Sequence, residues 1–169
     1  MADEIVNRVA QSKLVTINLE DFYPEGARIQ IDVSDWLEQG FLLREKDFRT
    51  KAQEHEWEQY ANKYVALYCS TDAIIPAWAY MLLTTYLSSY ARKVVVGDLE
   101  MLESVLYQEQ IAALDVSAYQ DLPVIIKGCS DKPVPKNAYL FLIQKLQPIV
   151  KSMMYGEACS SVPLYKRKK

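Results

Sequence analysis

Every cysteine in the chain is followed by a serine: Cys69-Ser70, Cys129-Ser130 and Cys159-Ser160. The second and third pairs extend to Cys-Ser-x-x-Pro, ending at Pro133 and Pro163. An ionised thiol ligates soft metals or attacks electrophiles, so these three residues and His55, the one histidine, have the side-chain types that can do chemistry. Their spacing matches no compact zinc ribbon or ferredoxin run, so the fold must assemble any shared site. Cys69, Cys129, Cys159 and His55 would make a zinc site, and three cysteines on an iron–sulfur cubane would leave one iron open for transfer. A second chemistry uses Cys129 beside Lys127 and Lys132, which favour the thiolate, to accept persulfide or attack a substrate. The bland alternatives are inert buried cysteines and a histidine bonded to a backbone carbonyl at the core edge. Asp72 and Asp131, shortly after the first two cysteines, can ligate, act as bases or cap the following helices, capping being the commonest role.

Two strand–turn–helix passages would position these residues. Tyr64 to Tyr68 and Pro123 to Lys127 are continuous apolar runs of strand length. Each leads through a cysteine-bearing loop to a proline, Pro76 or Pro135, suited to the start of a helix. The first helix runs to about Tyr90. The second is long, with Tyr139, Leu142, Leu146, Val150 and Met153 on one side and a kink or end at Pro148. Lys93 to Val96 adds a strand, Leu99 to about Leu114 a helix, and Val162 to Tyr165 a last strand. Apolar strands alternating with helices predict an α/β fold: a single domain with a largely parallel sheet covered on both faces. The alternative is α+β, with antiparallel strands from the N-terminal part at one edge. There, Leu14 to Leu19 and Arg28 to Val33 flank Tyr23-Pro24-Glu25-Gly26 as a hairpin would, Ser34 caps a turn stopped by Gly40, and a charged helix covers Arg44 to Ala61. Open parallel sheets bind ligands outside the carboxyl ends of their strands, so Cys69 and Cys129 are expected on one rim, with Cys159 able to return to it.

The chain has 169 residues, with 19 Lys plus Arg against 22 Asp plus Glu and a formal charge of −3. A chain this long buries roughly 70 % of its unfolded surface, so no disulfide or metal is needed to hold it together, and residues 1–165 read as one globular domain. Residues 166–169 (Lys-Arg-Lys-Lys) read as a solvated basic tail. The charge balance argues against a nucleic-acid clamp, and no Gly-rich phosphate loop or nucleophile elbow is present. The start of the sequence has no signal-peptide pattern and no apolar run reaches membrane-span length, so a cytoplasmic protein without a membrane partner is expected. An odd number of cysteines fits a reducing compartment.

Several segments are similar to an uncharacterised bacterial family, domain of unknown function number 2480, found mostly in Bacteroidetes. They are Asp3 to Ala10, Leu42 to Arg49, Cys69-Ser70-Thr71-Asp72-Ala73-Ile74, Ile126 to Ser130, and Gly156 to Ser160 continuing through Val162 to Lys166. The resemblance runs end to end and brings no catalytic residues with it. Members often lie beside genes of iron–sulfur cluster assembly, which implies, by association, iron–sulfur assembly proteins as partners. Three functions follow as expectations. The first is a non-enzymatic metal or iron–sulfur accessory protein using the three cysteines with His55. The others are a scaffold, open to homo-oligomerisation, whose 12 Tyr and three Trp supply interface anchors, and a thiol or persulfide enzyme.

Overall fold

The computed structural model describes residues 13–128 and 130–168. Its strands are β1 (Val15–Asn18), β2 (Arg28–Asp32), β3 (Tyr64–Tyr68), β4 (Lys93–Val96), β5 (Pro123–Lys127), β6 (Ser152–Glu157) and β7 (Ser160–Lys166). Its helices are α1 (Glu45–Glu54), α2 (Ala77–Leu87), α3 (Leu99–Ala113) and α4 (Lys136–Leu146). This is the expected α/β class, with parallel pairing everywhere except between β6 and β7. The strands form two sheets, β1-β5-β6-β7 and β2-β3-β4. No helix among the described residues is long and apolar enough to cross a membrane.

The chain divides into two compact units. A split unit takes the residues through Tyr23 and from Tyr107 onward, and an inserted unit takes Pro24–Leu106. In the inserted unit Ile31, Val33, Phe48, Leu67, Leu83 and Leu87 form a buried core. Leu102 and Leu106 of α3 cover the other side of β3 with Tyr64 and Ala66. The split unit has its own core, where Ile17, Leu19, Tyr107, Ile126, Leu142 and Leu146 meet. Burial on both faces explains why β3 is apolar along its length, with Val65, Ala66 and Leu67 fully enclosed.

Each unit repeats the other. β2 pairs β3 with Ile29 opposite Val65 and Asp32 opposite Tyr68. β1 pairs β5 with Val15 opposite Val124 and Asn18 opposite Lys127. One constant shift relates Asn18 to Asp32 and Gly26 to Gly40. A second, longer one relates Pro76 to Pro135, Leu83 to Leu142, Leu87 to Leu146 and Gly97 to Gly156. The backbone follows the residues. Gly26 and Gly40 both have positive φ, as do Gly97 and Gly156, and so do Asn62 (φ 61) and Asp121 (φ 57), a conformation that asparagine and aspartate tolerate better than most residues. A short 3₁₀ turn follows β1 (Leu19–Phe22) and β2 (Val33–Trp36) alike, each burying its first residue completely. The copies are nested in sequence, Pro24–Leu106 being inserted between the two segments of the split unit.

Several local expectations change. The proposed hairpin does not form, because β1 and β2 join different sheets as edge strands, each parallel to its neighbour. The antiparallel strand is β7, at the other end of the chain. Asp32, not Ser34, caps the turn after β2, since its carboxylate reaches the free amide two residues on. α1 stops at Glu54 and a 3₁₀ turn, Trp57–Tyr60, follows. α4 ends at Leu146 ahead of Pro148, which cannot continue it, and Met153 lies in β6. The basic end is partly docked: Lys166 closes β7, the Arg167 amide donates to the Lys151 carbonyl at 2.9 Å, and its guanidinium pairs with Asp121.

Candidate functional site

At the carboxyl end of β2 and β3 a single carboxylate organises two loops. Asp32 Oδ1 accepts from the Ser34 amide at 3.0 Å and the Ser70 amide at 3.1 Å, so one side chain caps the 3₁₀ turn and pins the segment after β3. The Ser34 and Ser70 hydroxyls lie 3.1 Å apart, one donating to the other. Thr71 donates its hydroxyl to the Gly40 carbonyl at 2.6 Å, and Cys69 Sγ lies 3.4 Å from that hydroxyl. With the threonine proton committed to Gly40, the thiol is the donor to Thr71. Cys69 is thus a half-buried member of a hydrogen-bonded loop anchor.

Partial burial opposes ionisation of Asp32, but the donors from Ser70 and Ser34 outweigh it and hold the carboxyl at about 2. Its value in the fold lies below the ordinary 3.8. The stabilisation is therefore complete above that ordinary value and is lost as the pH falls toward 2. Asp32→Ala is expected to cost about 1–3 kcal/mol, the loss of a cap plus a second amide partner. Asp32→Asn should cost less, because Asn18 caps the equivalent turn with an amide oxygen, accepting from the Glu20 amide at 3.1 Å. Urea midpoints measured between pH 5 and pH 2 check both, and the asparagine variant should lack part of the acid-side decline in stability.

In the split unit the same job falls to Glu20. Its Oε1 accepts from the amides of Ser130 and Asp131, the latter at 3.0 Å, and these donors hold its carboxyl below the usual range. Lys127 lies 3.3 Å from Glu157, and the Lys132 ammonium sits 4.7 Å from the Tyr23 ring centre. Both cations expected to activate Cys129 have these other neighbours, and Cys129 itself lies outside the described residues. Along the repeat Cys69 corresponds to Gly128, so the Cys-Ser dipeptides do not occupy equivalent places. Neither Asp72 nor Asp131 caps a helix: α2 and α4 begin after Pro76 and Pro135 with no side-chain cap bond.

The expectation of one shared rim fails at its premise, because β3 and β5 belong to different sheets. Cys69 is in the inserted unit. Cys159 is exposed in the split unit, at the turn between β6 and β7, where Glu157 pairs with Ser160. His55 bonds through Nε2 to the Tyr60 hydroxyl at 2.8 Å rather than to a backbone carbonyl. Its ring packs 4.7 Å from that of Trp57 and 5.1 Å from that of Trp36. Burial in this aromatic box pushes its pKa down. Among the described residues no three His, Cys, Asp or Glu side chains are grouped so as to hold a metal ion.

What the pinned loops do present is apolar. Glu38 and Leu42 form a two-residue bridge, with Gln39 and Gly40 at positive φ between them, so the turn thrusts Phe41 and Leu42 outward. They are 63 % and 53 % exposed, and Ile74, on the loop held by Asp32 and Thr71, is 91 % exposed. With Trp78 behind them they line an open cleft of about 760 Å³, flanked by the acids Glu45 and Asp72. Sequence periodicity missed this place because its residues lie in turns. The available signal was two short apolar runs, Phe41-Leu42-Leu43 and Ala73-Ile74-Ile75, outside any helix or strand pattern.

A family model described as a protein of unknown function, DUF2480, matches residues 3–167. The chain belongs to the DUF2480 family. Comparison with curated proteins and with solved structures gave no match. The DUF2480 match takes in both units, both carboxylate-pinned loops and the whole apolar cleft, so these are parts of the family domain itself.

Proposed function

We propose that this chain is a non-catalytic interaction module, and that its cleft takes an apolar segment of another protein flanked by basic residues. The observation carrying this reading is Ile74, 91 % exposed beside Phe41 and Leu42 on loops that hydrogen bonds to Asp32 and Gly40 hold in place. Large apolar groups cost free energy in water unless a partner covers them, and a rigid loop presents them without the ordering cost that weakens binding. Glu45 and Asp72 at the border favour Lys or Arg on either side of the apolar anchor and disfavour acidic segments. The free thiols of Cys69 and Cys159 suit a reducing compartment such as the cytoplasm. The metal or iron–sulfur reading rests on the number of cysteines and their expected place after strands, and its partners from cluster assembly rest on the family resemblance.

Peptide display on the immobilised full-length protein tests the proposal. Enriched sequences should carry an aromatic residue or leucine next to Lys or Arg, and their binding should fall at least tenfold in Ile74→Asp, the range of an interface hot spot. At so exposed a position that substitution should leave the unfolding midpoint unchanged. Selection of no such sequences, or equal binding by Ile74→Asp, would overturn the proposal.

A further inference from the structure

The repeat allows one half of the chain to be compared with the other. In the split unit β6 has a neighbour on each side, β5 parallel and β7 antiparallel. Its counterpart in the inserted unit is β4, which has β3 on one side and, among the described residues, no strand on the other. Gly97 donates its amide to the Leu67 carbonyl of β3 at 2.9 Å. By the alternation of strand geometry, Val94 and Val96 turn their peptide groups away from β3.

An open row of peptide groups is a template for another strand, and proteins blunt it with short length, lysine, proline, a bulge or an inward charge. β4 reads Lys-Val-Val-Val, four residues with a lysine at the start but no proline, and its pairing with β3 has no register shift. Both flanks are apolar. On the α2 side, Met81 is 66 % and Val96 53 % exposed, and they line a shallow cleft of about 420 Å³. On the α3 side Met101 is 49 % exposed. The residues equivalent to Met81 and Val96 are Leu140 and Tyr155, which line a cleft together with Leu164 and Tyr165 of β7. The surface that the split unit furnishes with β7 is left unfurnished in the inserted unit.

We propose that β4 takes an antiparallel strand in the place that β7 holds beside β6, and that this strand is β4 of a second copy of the chain. The choice of occupant follows from charge and symmetry. Lys93 opens the strand and Asp98 follows its end, so antiparallel pairing about Val95, with Val94 of each copy opposite Val96 of the other, brings the Lys93 end of one strand beside the Gly97-Asp98 end of its partner. The same two-fold operation brings Val96, Met81 and Met101 of one copy toward those of its partner. Such a patch is self-complementary, as an isologous interface requires. The two three-stranded sheets become one continuous sheet.

Sedimentation velocity on the full chain over a wide concentration range tests this. The expected result is a dimer of the 19.4 kDa chain, with amide exchange at Val94 and Val96 slowing as concentration rises. Val96→Asp should weaken association roughly tenfold or more, because it places a carboxylate in a desolvated strand pair. Since Val96 is exposed, the unfolding midpoint of dilute protein should stay unchanged. A monomer at every concentration to millimolar, or a dimer that Val96→Asp leaves intact, would overturn the proposal. A monomer whose Val94 and Val96 amides become protected only on adding a different protein would assign the edge to that protein's strand instead.

Discussion

Glu103→Ala is expected to destabilise the protein by about 3–5 kcal/mol, the cost of leaving a buried charge without its partner. Glu103 on α3 meets Arg28, the first residue of β2, in a two-pronged pair: Nε to Oε1 at 2.6 Å and Nη2 to Oε2 at 3.2 Å. Each side chain is 9 % exposed, so water can replace neither partner. Arg28 also donates to the carbonyls of Pro24 and Gly26 at 2.7 and 2.6 Å, and its guanidinium lies 5.0 Å from the Tyr64 ring centre. The arginine thereby ties the start of β2 to α3 and to the turn before it. Arg28→Met should cost as much as Glu103→Ala. The double variant Arg28→Met/Glu103→Ala should cost clearly less than the sum, because removing both ions leaves no uncompensated charge. Urea unfolding of the four proteins measures this coupling, and simple additivity would show that the pair acts as two independent surface charges.

Trp57→Ala should cost a similar amount, about 3–5 kcal/mol, as expected for removing a large buried aromatic side chain. Its indole N–H donates to the Ala52 carbonyl at the end of α1 at 2.7 Å. Its ring stacks on Tyr86 of α2 at 5.3 Å and 7° and meets Trp36 edge-on at 5.5 Å. One residue therefore joins α1, α2 and the turn after β2. The same substitution admits water to His55, whose pKa burial now holds down. Because the unfolded histidine takes a proton more readily than the folded one, stability falls as the pH drops through about 6.5, the ordinary value. In Trp57→Ala that part of the slope should shrink as the histidine returns toward its ordinary value. Unfolding curves at pH 5 and pH 8 read both effects, and a loss below 1 kcal/mol would mean that the aromatic box is not packed as described.

Individual elements were legible wherever composition alone decides them. Tyr64–Tyr68 and Pro123–Lys127 could only be strands covered on both faces, and Pro76 and Pro135 marked where the next helices begin. Strand partnership was not legible. Pairing Val15 with Val124 depends on contacts far apart in sequence, and local turn residues such as Pro24-Glu25-Gly26 suggested a nearer partner for β1. β6 was hidden because Met153 continues the helical spacing of Leu142 and Leu146, and only Pro148 signals the break. The repeat shows at a fixed shift between Pro76 and Pro135 or Leu83 and Leu142, but nesting splits it into two shifts of different length. At the site, Cys69 was rightly placed at the end of a strand, while a common rim presupposed a single sheet. The exposed anchors Phe41, Leu42 and Ile74 belong to turns, where no periodicity distinguishes a side chain facing water from one facing the core.

Nesting one unit inside the other also imposes an order of assembly on a chain made from its N-terminus. Strand β1 leaves the ribosome first, yet the residues it needs, Val124 to Lys127, come after the whole of Pro24–Leu106. Meanwhile β2 finds Tyr64 to Tyr68 and can complete its own sheet and core. The later unit must then close a loop that already contains a folded body, so the chain entropy of that closure is lower than for a free coil of equal length. Until then β1 is an unpaired strand, the kind of segment that mispairs in folding intermediates. Its length of four residues, with Thr16 facing water and Asn18 at its end, keeps that template short.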